Sequence, residues 1–342
     1  MHIITKPLRK ILKKLFNKYG YKIIQHSNLY DWQIEEPLKL NYNESNLPAD
    51  AKDYLDKNNP ILKALQKTYS KFDTRVTQPL IWNKHYIKSE DILFFRGDNI
   101  YVRQLNASKM NILGYALSAY YALERDPLNL FSILKEDNYF GNYCIAISNR
   151  LISRDLLDSI LEIYFLEKYL KIISHSKNLN ILDIGAGYGR LAHRTITASQ
   201  GSLKYFCTDA IAISSFISEY YINFRKVHDR ALVIPLYDII HTLENNPIDI
   251  AINVHSFSEC RLSAIEWWIS LLKKYEIRYL MIVPNGDKQM GSLLLTVQGE
   301  NFMEIIIKHG YKLVAKEPKF SDPIVQKYGL YPTYHYLFEL QY

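Results

Sequence analysis

The run Asn180-Ile181-Leu182-Asp183-Ile184-Gly185-Ala186-Gly187-Tyr188-Gly189 places an acid at the end of an apolar segment and then glycine at three alternate positions. Glycine permits a tight turn and lets a ligand approach the backbone with no Cβ in the way. Gly185, Gly187 and Gly189, with Tyr188 among them, are therefore candidates to line a nucleotide-like ligand. A dinucleotide fingerprint would need glycine at position 190, where the chain has Arg190, so a pyrophosphate cradle is disfavoured. A carboxylate at Asp183 suits a cation better than phosphates, and the sulfonium and ammonium of S-adenosylmethionine would match it. Asp209 stands 22 residues after Gly187, at the end of a second apolar run, where a carboxylate can accept ribose hydroxyls.

Those residues need strands that end beneath a common ligand. From residue 179 onward, short apolar runs alternate with helical stretches, the texture of a parallel sheet with crossover helices. Strands are expected at 179–184, 203–208, 231–235, 248–254 and 277–283, with two more at 311–317 and 334–341. Helices are expected at 189–199, 210–224, 261–274 and 300–309. Ser153 followed by Asp155 reads as a cap and an acidic first turn for a helix reaching Leu170. Residues 23–150 are polar, aromatic and irregular, with one clear helical pattern at 109–124 that stops before Pro127. The expected fold is α/β: a doubly wound, mostly parallel seven-stranded sheet over residues 151–342, preceded by a mainly helical substrate or lid domain over 23–150 and a basic helix over 1–22.

The strand, acid and Gly-x-Gly-x-Gly series resembles the first motif of the class I S-adenosylmethionine-dependent methyltransferases, and the likeness runs from residue 179 to 342. It implies a Rossmann-like fold and S-adenosylmethionine as cofactor. Asp183, Gly185, Gly187, Tyr188, Gly189 and Asp209 would contact it, with Asp238 near the adenine and Asn253 at the end of the fourth strand. A narrower likeness spans both halves of the chain. Phe95-Arg96-Gly97-Asp98-Asn99, Glu136-Asp137-Asn138-Tyr139-Phe140-Gly141, the segment from Ser153 to Ile160, Asn253-Val254-His255-Ser256-Phe257-Ser258-Glu259, Ile265-Glu266-Trp267-Trp268 and Ile282-Val283-Pro284-Asn285 resemble the sugar O-methyltransferases of bacterial surface-polysaccharide synthesis.

An alcohol becomes a useful nucleophile only as a base takes its proton. The loop after the fourth strand should face the reacting carbon, and it carries His255 and Glu259. His255 is the first choice for general base because imidazole titrates near neutral pH. Glu259 would orient it or bind a sugar hydroxyl, though an acid there also suits a helix start. Arg96, Asp98, Asn99, Tyr139 and Arg154 are candidates for the sugar, while turn, cap and ion-pair roles account for several of them equally well. No close set of oxygen ligands stands out, so no metal is expected.

Composition limits the alternatives. Hydrophobic residues form 48% of the 342 and charged residues 23%, which excludes a disordered chain. Three scattered cysteines provide no disulfide framework and fit a reducing cytoplasm. The net charge of +7 is local: residues 1–22 hold seven bases and no acid, leaving 35 bases against 35 acids elsewhere. A neutral body argues against a nucleic-acid substrate. Leu8, Ile11, Leu12, Leu15, Phe16 and Tyr19 recur at helical spacing within that basic stretch. Such a helix fits an anionic membrane surface, through residues 6–22, and equally a docked helix with a solvated basic face. Two other functions stay open. One is a methyltransferase for nucleic acid or another small molecule; the other is a non-catalytic scaffold that binds the cofactor or a glycan.

Overall fold

The computed structural model describes residues 46–82, 89–97 and 110–342, less 176–177, 200, 202, 287–288 and 342, together with 33–34 and most of 11–19. Seven strands form the central sheet: β1 (Asn180–Ile184), β2 (Lys204–Thr208), β3 (Ala231–Val233), β4 (Ile250–Val254), β5 (Tyr279–Val283), β6 (Tyr311–Pro318) and β7 (Tyr334–Leu340). Their order across the sheet is β6-β7-β5-β4-β1-β2-β3. Neighbours from β5 through β3 run parallel, and β7 is antiparallel to both β5 and β6. The chain leaves β1 towards β2 and β3, then returns to place β4 on β1's other side. That reversal opens a crevice above the carboxyl ends of β1 and β4, where ligands of doubly wound sheets bind.

Nine of the helices matter here: α1 (Pro60–Tyr69), α2 (Ile112–Leu123), α3 (Arg154–Leu170), α4 (Arg190–Ala198), α5 (Ala212–Phe224), α6 (Ile239–Asn245), α7 (Leu262–Lys274), α8 (Met303–Lys308) and α9 (Pro323–Tyr328). Alternation along the strands builds a core on each face of the sheet. Ile181, Tyr205, Ile252 and Met281 pack with Leu156, Ile160 and Ile163 of α3 and Leu191 and Ile196 of α4. Leu182, Phe206, Ala251 and Ile282 pack instead with Ile239 and Leu243 of α6 and Ile265, Trp268 and Ile269 of α7. The strands are apolar on both faces for that reason, which is why they read as continuous runs.

Residues between 51 and 140 pack directly on this body. Ala51, Leu55, Leu62, Ile92, Phe95 and Phe140 share a buried cluster with Tyr188 and with Phe216, Ile217, Tyr220 and Tyr221 of α5. An ionic network fastens the same junction. The Arg96 guanidinium reaches Glu136 at 2.5 Å and Asp137 at 2.6 Å, while Arg194 of α4 meets Glu136 at 2.8 Å and Arg225 meets Asp137 at 2.5 Å. Burial alone would raise the Glu136 carboxyl, yet the facing Arg96 and Arg194 charges hold it down at about 2.

The helix expected at 109–124 is found at Ile112–Leu123, and the Ser153 hydroxyl caps α3 by accepting the Leu156 N–H at 3.0 Å. The sequence pattern marks none of α1, α6 and α9. Of these, α6 and α9 are short: α6 packs Ile239 and Leu243 on the sheet, while α9 sets Val325 against Phe320 and Tyr121 of α2. Among the described residues no helix is long and apolar enough to cross a membrane.

Candidate active site

A cleft of about 1340 Å3, its mouth included, lies above the crevice, lined by the loops that follow β1, β2, β4 and β5. Asp183, at the end of β1, is buried, and its Oδ2 accepts the Tyr205 hydroxyl at 2.9 Å. Asp209, just past β2, accepts the Gly187 N–H at 3.1 Å and the Ile211 N–H at 2.8 Å. The glycine loop is thereby tied to the tip of the neighbouring strand. Among the described residues neither carboxyl makes an ion pair. Burial pushes each up to about 7 against the hydrogen bonds it accepts. Two acids are therefore held desolvated at a cleft wall without an ion pair among the described residues, since Arg190, whose charge acts on Asp183, is itself paired with Glu162; a positively charged ligand would relieve that arrangement.

The glycines have distinct reasons. Gly187 has φ +58, and a Cβ there would meet nothing within 4 Å, so the missing side chain leaves open space in the cleft. Gly185 has φ +76, and its Cβ would lie 2.1 Å from the Ser256 Oγ, so here glycine admits the loop after β4. Tyr188 also lines the cleft while its hydroxyl donates to Asp155. Arg190, the residue that breaks the dinucleotide pattern, points back to α3. Its guanidinium binds Glu162 at 2.7 and 2.8 Å and Ser159 at 2.8 Å.

The opposite wall carries hydrogen-bonding and aromatic groups. His255 takes a backbone conformation with φ +66, uncommon for a residue with a Cβ, and its N–H donates to the Val283 carbonyl at 2.7 Å. The ring Nδ1 lies 3.2 Å from the Pro284 carbonyl oxygen, which only accepts, so Nδ1 carries the proton and Nε2 keeps a lone pair. The imidazole does not titrate near neutrality, contrary to expectation. Burial, with the Arg154 and Arg190 charges, pushes it down to about 3. Glu259 accepts the Trp82 indole N–H at 2.5 Å and the Asn285 amide at 3.3 Å. Its carbonyl also accepts the Leu80 N–H at 2.8 Å, pinning the 79–82 segment across the cleft. Tyr331 meets the His255 ring edge-on, lies under the Arg154 guanidinium at 4.0 Å, and donates to Asn285 at 3.4 Å.

The cleft thus gathers Asp183, Gly185, Gly187, Tyr188, Asp209, Arg154, His255 and Glu259 from the expected set. Other expectations are corrected. Gly189 caps α4 behind the lining, with its Cβ position blocked by Ser218 at 2.9 Å. Asn253 is fully buried and committed to the loops: it donates to the Ile184 carbonyl and to Ser256, and accepts the Phe257 N–H. Asp238 ends a short turn before α6 and does not line the cleft. Arg96 is fully buried in the Glu136–Asp137 network, so its donors serve the fold and not a ligand. Tyr139 meets Phe224 edge-on, outside the cleft lining. Asp98 and Asn99 lie outside the described residues. Trp82, Asn285 and Tyr331 went unnoticed because they stand in loops of no fixed period. Only Asn285 carried a signal, at the end of the quoted fifth-strand phrase. Among the described residues no three His, Cys, Asp or Glu side chains converge to hold a metal ion.

No protein-family model matches the chain, and no curated protein matches it. Several solved structures are similar over about half of its length. One is a magnesium protoporphyrin IX methyltransferase from Synechocystis, 12% identical over 55% of this chain and 83% of that one, with a TM-score of 0.39. Another is a SAM-dependent methyltransferase from Aquifex aeolicus, 16% identical over 53% of this chain and 90% of that one, with a TM-score of 0.37. The mitomycin 7-O-methyltransferase MmcR is 15% identical over 48% of this chain and 49% of its own, with a TM-score of 0.36. These similarities are weak, and the strand order described above defines the fold without them.

Proposed function

We propose that the protein is an S-adenosylmethionine-dependent O-methyltransferase whose acceptor is a hydroxyl of a bacterial surface sugar or its precursor. The observation that carries the reading is the pair Asp183 and Asp209, buried beside a glycine loop and making no ion pair among the described residues. A dinucleotide would bring phosphates to these acids, whereas a sulfonium and an ammonium would neutralise them. The open space at Gly187 is where such a ligand would press against the backbone. When bound, S-adenosylmethionine would supply an electrophilic methyl carbon for the acceptor oxygen, with sulfur as the leaving group that would keep the electron pair of the broken bond.

The chain's own residues then have separable tasks. Trp82 and Tyr331 offer flat faces for the C–H side of a sugar ring, while Glu259 and Asn285 offer planar acceptors and donors for its hydroxyls. His255 Nε2 takes the proton of the reacting hydroxyl. An imidazole that titrates at about 3 is unprotonated at every working pH, hence always available. Its protonation is unfavourable in the empty cleft. It would become less so during transfer, since a positive charge would leave the sulfonium as one forms at the ring. The deciding assay incubates pure protein with S-adenosylmethionine and a panel of nucleotide sugars and lipid-linked oligosaccharides. A mass gain of one methylene unit on a sugar supports the reading. Transfer to DNA, RNA or protein instead of sugars would overturn the acceptor, and no transfer to anything alongside tight cofactor binding would favour the scaffold.

A further inference from the structure

The described part of the 11–19 helix leaves its apolar row in solvent. Ile11 is 62% exposed, Leu15 52% and Tyr19 68%, residues four apart and therefore stacked along one face. A helix docked on its own body would bury that row, so the exposure favours the membrane surface over the docked helix. Lys14 and Lys18 form a parallel row beside it, in the geometry that lets long side chains run past apolar contacts to reach charge above them. The surrounding stretch, residues 1–22, has seven bases and no acid, while the rest of the chain is balanced. An apolar partner protein would match the exposed row without explaining the bases, and a nucleic acid would match the bases without explaining the row. A surface of anionic lipid matches both.

We infer that this helix binds the interface of an anionic membrane, with Ile11, Leu15 and Tyr19 among the acyl chains and the lysines at the headgroups. The cleft then works beside a lipid surface. The inference stands apart from the chemistry proposed above, and a variant with an impaired cofactor site, Asp209→Ala, keeps the membrane contact. The test is co-sedimentation of the full chain with vesicles of phosphatidylcholine alone or mixed with phosphatidylglycerol, at low and high salt. The protein should pellet with the mixed vesicles, be released by salt, and stay soluble with phosphatidylcholine alone. Lys14→Glu with Lys18→Glu should weaken partitioning by about thirtyfold or more, from roughly 1 kcal/mol per base near such a surface. Ile11→Ser with Leu15→Ser should abolish it and leave the thermal midpoint unchanged. Equal binding to both vesicles, or to neither, would overturn the inference. So would a lowered thermal midpoint in the serine variant, which would mean that the row packs on the protein. Self-association lost in that same variant would assign the row to a second copy of the chain.

Discussion

Replacing Asp183 by Asn should stabilise the ligand-free protein, by an amount that grows with pH. The group is 3% exposed, and burial raises it from 3.8 to about 7. A carboxyl whose folded value lies above its unfolded one favours the folded state fully at pH below the unfolded value. That advantage is lost progressively as pH rises towards the folded value, because the unfolded chain ionises first. A shift of about three pH units corresponds to up to about 4 kcal/mol of destabilisation above pH 7, and at about pH 5 to only about 1.5 kcal/mol. Asn keeps an oxygen to accept the Tyr205 hydroxyl and has no charge to desolvate. The stability gap between Asp183→Asn and the natural chain, read from urea unfolding midpoints and slopes, should therefore widen by about 2–3 kcal/mol between about pH 5 and pH 8. The same variant should lose most of its affinity for S-adenosylmethionine. A gap that stays constant with pH, or a variant less stable than the natural chain at pH 8, would refute the claim that this acid is held desolvated for a ligand.

Three further outcomes follow from the geometry. Gly185→Ala, whose Cβ would lie 2.1 Å from the Ser256 Oγ at a φ of +76, should cost on the order of 1–3 kcal/mol in thermal unfolding and weaken cofactor binding in titration calorimetry. His255→Ala should lower turnover by about a hundredfold while cofactor affinity holds, and the natural enzyme's kcat profile should show no limb near pH 6.5 from this ring; unchanged turnover would remove it as the base. Glu136→Ala leaves the buried Arg194 without its carboxylate and Arg96 with Asp137 alone, and should cost about 3–5 kcal/mol in chemical unfolding, far more than a surface acid would.

The sheet was legible because its strands are buried on both faces, which forces continuous apolar runs of fixed length. The glycine loop was legible for a related reason: positive φ and close approach leave few other residues able to fill those positions. The acceptor side was harder to read. Arg96 and Asn253 have the side chains of ligand-binding residues, yet both are consumed by burial, Arg96 by two carboxylates and Asn253 by three loop groups. Sequence shows the donors but not whether a neighbour has already taken them. Trp82 illustrates the converse. It stands 177 positions from Glu259 along the chain, and only the folded structure closes that distance to 2.5 Å. The titration of His255 was likewise out of reach, since Arg154 and Arg190 approach it from α3 and α4.

The central claim is that a pair of desolvated acids beside a glycine loop, with no ion pair among the described residues, receives a cationic nucleoside, and titration calorimetry of the pure, folded chain with S-adenosylmethionine tests it most directly. The account expects saturable heat at one site. Binding should draw a proton off the Asp183–Asp209 pair below about pH 7, so affinity should rise with pH through that range and level above it. Buffers of different ionisation enthalpy should reveal the released proton. No heat with either S-adenosylmethionine or its demethylated product, or tighter binding of an uncharged or anionic dinucleotide, would contradict it.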